Sequence, residues 1–323
     1  MSVVRKPKEE RSRAWGLIPG MVLVAEGLIS SGKGSGVSAA EWLIAGLGAI
    51  CLLPLLSLAS DYVFGGDGPC RYTLARRLVF VLFSALALPG SFYLAASEIS
   101  RFSRFAEDVM FLRVSGLAVS GVFLLLSGYL SFCGGKVLKK FTFLSAAFSA
   151  AAVVMLLFMS VPHFDGRNLD LALSGGRRVS LMGVITAFAR VFAPVTAAVI
   201  YLSCERKKAG GASVFRGLLF GCAILATCLA CSVLIMGPAF SASCEYPYIT
   251  AVSTVTAGKL FARMEGFAYV ICFSASVIKT AVCLSIIRLI LIGFLPPRMS
   301  LRKWGAAIHV TASAAVFVLS FFL

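Results

Sequence analysis

Nine long apolar runs, separated by short polar or basic breaks, decide what this chain can become. A helix needs about 20 mostly apolar residues to cross the hydrocarbon core of a bilayer. Read against that length, the predicted spans are 15–30, 40–60, 78–96, 114–131, 141–161, 180–203, 214–236, 266–295 and 304–323. Residues 1–13 form a basic tail, and residues 14–323 form one transmembrane domain. The fold class is therefore all-α integral membrane. Composition closes the alternatives: 59% of residues are hydrophobic and 14% charged, against about 25% charged in an ordinary soluble domain. Such a chain lacks the polar coat a soluble fold needs, and it is too apolar to stay disordered.

The excess of basic residues, a formal +16, gives the bundle a direction. Lys and Arg gather in cytoplasmic loops. With the N-terminus inside, the inner segments hold Arg5, Lys6, Lys8, Arg11 and Arg13, then Arg71, Arg76 and Arg77, then Lys136, Lys139 and Lys140, then Arg206, Lys207, Lys208 and Arg216, and finally Arg298, Arg302 and Lys303. Outer segments are poorer in basic residues. Nine spans then place the C-terminus outside. The first run is not read as a cleaved leader, because Glu26 interrupts it and no A-x-A-like site follows. The basic residues lie between apolar runs without an accompanying nucleic-acid motif, so nucleic acid is not the expected partner. No ATP-binding P-loop is present, nor a Ser-His-Asp or HExxH arrangement, so the chain does not read as an enzyme. No cofactor is implied, and no His, Cys, Asp and Glu residues have metal-ligand spacing. Cys228 and Cys231 form a CxxC within an apolar run, where cysteine acts as a small hydrophobe.

Polar residues inside apolar runs carry the functional signal, because a charge near the bilayer centre costs at least about 2.5–3.5 kcal/mol and usually faces the bundle interior. Lys279 lies deep in the eighth span, either as part of a site or as half of a structural ion pair. Arg190 precedes Pro194 by one turn in the sixth span. Proline removes a backbone donor and clashes with the carbonyl four residues back, so this helix is expected to bend or break. Glu26, followed by Gly27 and preceded by Gly20, sits in the first span. It is either a partner for Arg190 or Lys279, or a wet residue at the outer surface. Arg263 and Glu265 open the eighth span as an interfacial pair. A lone histidine such as His309 reads as structural.

One stretch carries an ordered set of features: Gly237-Pro238, Tyr246-Pro247, Leu260-Phe261-Ala262-Arg263-Met264-Glu265, Phe273, and Ile278-Lys279. This order resembles the spore-germination permease family, the B subunits of germinant receptors. The likeness extends more loosely over residues 74–323. It implies an amino-acid/polyamine/organocation (LeuT-like) fold of two inverted five-helix repeats, here 14–162 and an incomplete 180–323, with the first and sixth helices broken around a central site. Members usually carry Phe-Gly-Glu in the sixth span, where this chain has Ala189-Arg190-Val191. Most also have a tenth span.

The expected function is a germinant-receptor subunit of the bacterial spore inner membrane, sensing a small nutrient such as an amino acid with A- and C-type subunits as partners. A secondary amino-acid transporter and a structural subunit with a non-functional pocket are the alternatives. The expected ligand-binding residues are Gly20, Glu26, Gly27, Arg190, Pro194 and Lys279. Tyr246, Pro247, Arg263, Glu265 and Phe273 are expected to be structural or gating.

Overall fold

A computed structural model describes residues 7–30, 41–52, 74–110, 115–174, 180–204, 211–255, 265–294 and 301–323. These are almost entirely helical. The long helices are α1 (Pro7–Ser30), α3 (Leu74–Phe105), α4 (Gly116–Cys133), α5 (Gly135–Ser160), α7 (Leu181–Cys204), α8 (Gly211–Met236), α11 (Glu265–Gly293) and α12 (Leu301–Ser320). Shorter helices are α2 (Glu41–Leu52), α6 (Gly166–Ser174), α9 (Pro238–Ser243) and α10 (Pro247–Thr254). Among the described residues, α4, α5, α7, α8 and α11 contain helices long and apolar enough to cross a membrane, while the apolar parts of α1, α2 and α12 are shorter. The outward faces of α4 and α5 present Leu117, Val122, Leu125, Phe143, Leu144 and Phe158 to the surroundings. So continuous an apolar coat suits lipid rather than water.

Glycine and proline punctuate the bundle. Gly134, between α4 and α5, has φ 83°, and Gly237, between α8 and α9, has φ 81°. Both lie in the left-handed region, which a side chain rarely adopts. Pro238 and Pro247 then sit in the first turns of α9 and α10, where a missing N–H costs nothing.

Two helices occupy the centre. In the most apolar stretch of α11, 89% of the residues are buried, and α11 touches α1, α3, α4, α5, α7, α10 and α12. α1 packs most extensively on α8. Gly16 and Gly20 of α1 face Ser213, Gly217 and Gly221 of α8 so closely that a methyl group on any of these glycines would meet the opposing backbone. Gly27 rests on the Leu225 side chain. Small residues four apart on both helices permit this approach, as they do between membrane helices generally. The contacts climb both helices together, so α1 and α8 run parallel. An odd number of crossings between them, the five expected from sequence, satisfies that direction.

Three expectations change. The first span begins at Pro7 rather than residue 15, taking part of the basic tail into the helix. The third does not end at residue 96: α3 continues to Phe105 and closes in a π-helical turn, Ala106–Met110. And neither the first nor the sixth span is broken. α1 is one helix through Pro19 and Gly20, and α7 is one helix through Pro194. Pro194 withholds one hydrogen bond from the Arg190 carbonyl, but the flanking turns keep theirs, and Pro194 itself is buried.

Candidate functional site

The extension of α3 brings two unexpected charges into the core. Ala95, Ile99, Phe102, Phe105 and Ala106 are all buried, a helical stripe that turns Glu98 and the stem of Arg101 toward α1 and α11. Four charged groups meet there. Lys279 of α11 donates to Glu98 at 2.5 Å and also to Glu26 of α1. Arg101 donates to the other Glu26 oxygen at 2.8 Å. Its guanidinium is oriented further by the Ser97 carbonyl and hydroxyl, each at 3.3 Å. The cluster is neutral, with two carboxylates and two cations on three helices. The Lys279, Glu98 and Glu26 side chains are 0%, 1% and 2% exposed, whereas Arg101 is 33% exposed. One carboxylate oxygen of Glu98 has no hydrogen-bond partner among the described residues.

Removing such ions from water costs several kcal/mol each, which mutual attraction and hydrogen bonds must offset. The arrangement is therefore worth more as a specification of how α1, α3 and α11 meet than as net stability.

Beside the cluster lies a cavity of about 700 Å³. α3 contributes Tyr93, Arg101 and Arg104, α7 contributes Arg190, and Glu26 lies at the buried end. Exposed Glu245 marks the rim together with Tyr246. Arg104, also exposed, donates to the Leu323 carbonyl at 2.8 Å.

Of the expected ligand-binding residues, Glu26 and Arg190 line this cavity. Glu26 is buried and paired with Lys279, which excludes the wet-surface alternative. Arg190 does not join the network; among the described residues it has no ion pair. Lys279 is sealed behind the wall, and Gly20 and Gly27 are spent on packing against α8. Pro194 is not part of the wall.

The expected gating residues are held by aromatic contacts. Phe102 stacks on Phe123 at 4.7 Å between centroids and meets Phe273 at 5.5 Å. Phe105 contacts Tyr246 edge-on at 5.0 Å. This cluster pins the start of α10 and the upper part of α11 to α3. Tyr246 lies outside the spans; burial first, then the nearby Glu245 and Asp108 carboxylates, pushes its phenol above the ordinary range. Pro247 is buried at the start of α10. Glu265 begins α11, while Arg263 lies outside the described residues.

Elsewhere, His309 contacts the Gly128 carbonyl through Nε2 at 2.9 Å. Cys228 and Cys231 are free thiols in α8. No group of three His, Cys, Asp or Glu residues suited to a metal occurs among the described residues. No protein-family model matches the chain, and no relative is found among curated proteins.

Proposed function

We propose that the chain is a multi-pass membrane subunit that recognises a small nutrient solute in the cavity between α3 and α7. We assign it the role its sequence resemblance implies: a B-type germinant-receptor subunit in the spore inner membrane, with an amino-acid-sized ligand, A- and C-type partners, its N-terminus cytoplasmic and its C-terminus outside. The observation that carries the solute reading is Arg101. It forms part of the cavity wall and also belongs to the buried charge network. A solute that engages Arg101 competes with Glu26 for its hydrogen bonds. Any such competition alters how α1, bound through Glu26, sits against α11, bound through Lys279. Occupancy then shifts the bundle by the difference in solute affinity between the two arrangements and by no more than that. The ordered features from Gly237 to Lys279 supply the germination half of the reading.

Purified protein in sealed liposomes, offered a panel of labelled amino acids and organic acids, tests this with binding and uptake measured together. Saturable binding without uptake supports a receptor. Uptake makes the protein a transporter that uses the same cavity. Absence of both, with protein that remains folded, refutes solute recognition by this subunit.

A further inference from the structure

The charges around the cavity are unequal in their availability. Both oxygens of Glu26 are engaged, one by Arg101 and the other by Lys279. Glu98 is 1% exposed and is not part of the wall. Among the described residues of the wall, the acidic side chain left to a ligand is Glu245, exposed at the rim. On the cationic side, Arg190 of α7 is half-buried, lines the cavity and has no ion pair or hydrogen-bonded side-chain partner among the described residues. Arg101 faces the same space with a third of its side chain exposed. A guanidinium held within a membrane bundle is normally paired, and a bare one marks a ligand path. Its planar fork matches a carboxylate with two parallel hydrogen bonds. An ammonium group entering here meets cations and must displace an existing partner from Glu26 to find a buried anion.

We infer that the cavity takes a small acidic solute of net negative charge, a mono- or dicarboxylate, held by Arg190 from α7 and by the exposed side of Arg101 from α3. The inference rests on the reading of this cavity as the solute site and narrows its chemistry. A volume of about 700 Å³ leaves room for such an acid with accompanying water. The carboxylate bridges two helices that otherwise touch sparingly, so binding draws α7 toward α3 and toward the network behind Arg101.

Thermal unfolding of the purified full chain in nanodiscs tests this with three probes, sodium succinate, L-alanine and putrescine, at matched ionic strength so that screening is constant. Succinate should raise Tm saturably. L-alanine should need at least about tenfold higher concentration, the loss expected for one charge-assisted contact, and putrescine should give no shift. Arg190→Gln should raise the half-maximal succinate concentration about tenfold or more. Ala193→Glu, one turn along the same wall, places a carboxylate beside Arg190 and should abolish the succinate shift; it serves as a second variant should Arg190→Gln fold poorly. Glu245→Gln should lower the half-maximal concentration by removing repulsion at the rim. Stronger stabilisation by L-alanine or putrescine than by succinate overturns the acidic class and leaves solute recognition standing. An unchanged succinate response in both α7 variants also overturns the proposed contact. Failure of all three probes overturns the inference, and failure of the wider liposome panel as well takes the solute reading with it.

Discussion

Replacing Lys279 with methionine removes one charge from a four-charge cluster while keeping an unbranched side chain only one atom shorter. Glu26 keeps Arg101 as a partner. Glu98 loses its ion pair entirely, and its other oxygen already lacks a hydrogen bond. The variant thus strands a buried carboxylate, which costs about 3–5 kcal/mol. At about 2.1 cal/mol/K per residue, a chain of 323 residues has an unfolding entropy near 0.7 kcal/mol/K. The predicted fall in Tm is therefore about 4–7 °C. Glu98→Gln alone should cost less, about 1–3 kcal/mol, because Lys279 retains Glu26. The double variant restores neutrality around the Glu26–Arg101 pair, and its cost should fall short of the sum of the singles by about 2 kcal/mol, within the range seen for residues in contact. Thermal unfolding of the three variants in one detergent gives the cycle. Strict additivity, or a Lys279→Met protein that melts within about 1 °C of the parent, would refute the network.

Gly20→Val and Gly217→Ala drive side-chain atoms into the opposing backbone and should each cost about 1–3 kcal/mol; Gly266→Ala meets no atom of the described residues within 4 Å and should be neutral or stabilising by up to about 1 kcal/mol in the same melting assay. Phe123→Ala empties the centre of the aromatic cluster and should cost about 3–5 kcal/mol, loosening Phe273, which hydrogen exchange in α11 would detect. Glu41 accepts the Ser180 N–H at 2.7 Å at the start of α7, so Glu41→Ala should cost about 1–2 kcal/mol and expose the first amides of α7 to faster exchange. Because the Tyr246 phenol is held neutral in the fold, the folded state retains a proton that the unfolded chain begins to lose near pH 10. Stability should fall as pH rises through that region, and Tyr246→Phe should flatten the dependence.

Much of this was legible because membrane insertion leaves few choices. Apolar runs located the long helices, and buried charge at Glu26 and Lys279 identified two members of the network that lie 253 positions apart. Glu98 and Arg101 read from sequence as part of a polar segment after the third span, since polarity beyond residue 96 suggests a loop when charge is weighed alone. The stripe of Ala95, Ile99, Phe102 and Ala106 held the contrary signal, at helical spacing. Gly20 and Gly27 illustrate a second ambiguity. A glycine in a span serves a broken helix or a close helix crossing equally well, and the residues opposite on α8, Gly217 and Gly221 for Gly20 and Leu225 for Gly27, decide for the latter. Pro194 suggests a break because its local effect on the backbone is certain, yet the helix continues, since the flanking turns keep their own backbone hydrogen bonds. Arg190 lines the cavity, and its charge is not joined to Glu26.

The central claim is that a small solute occupies the cavity walled by α3 and α7. Ala193 is exposed on that wall, while Ala281 lies fully buried in α11. In sealed vesicles, a membrane-impermeant thiol reagent should modify Ala193→Cys above the background of the parent chain and leave Ala281→Cys untouched. Saturating solute from the panel should slow the Ala193→Cys reaction severalfold. Modification at an unchanged rate with every solute tested would contradict the claim.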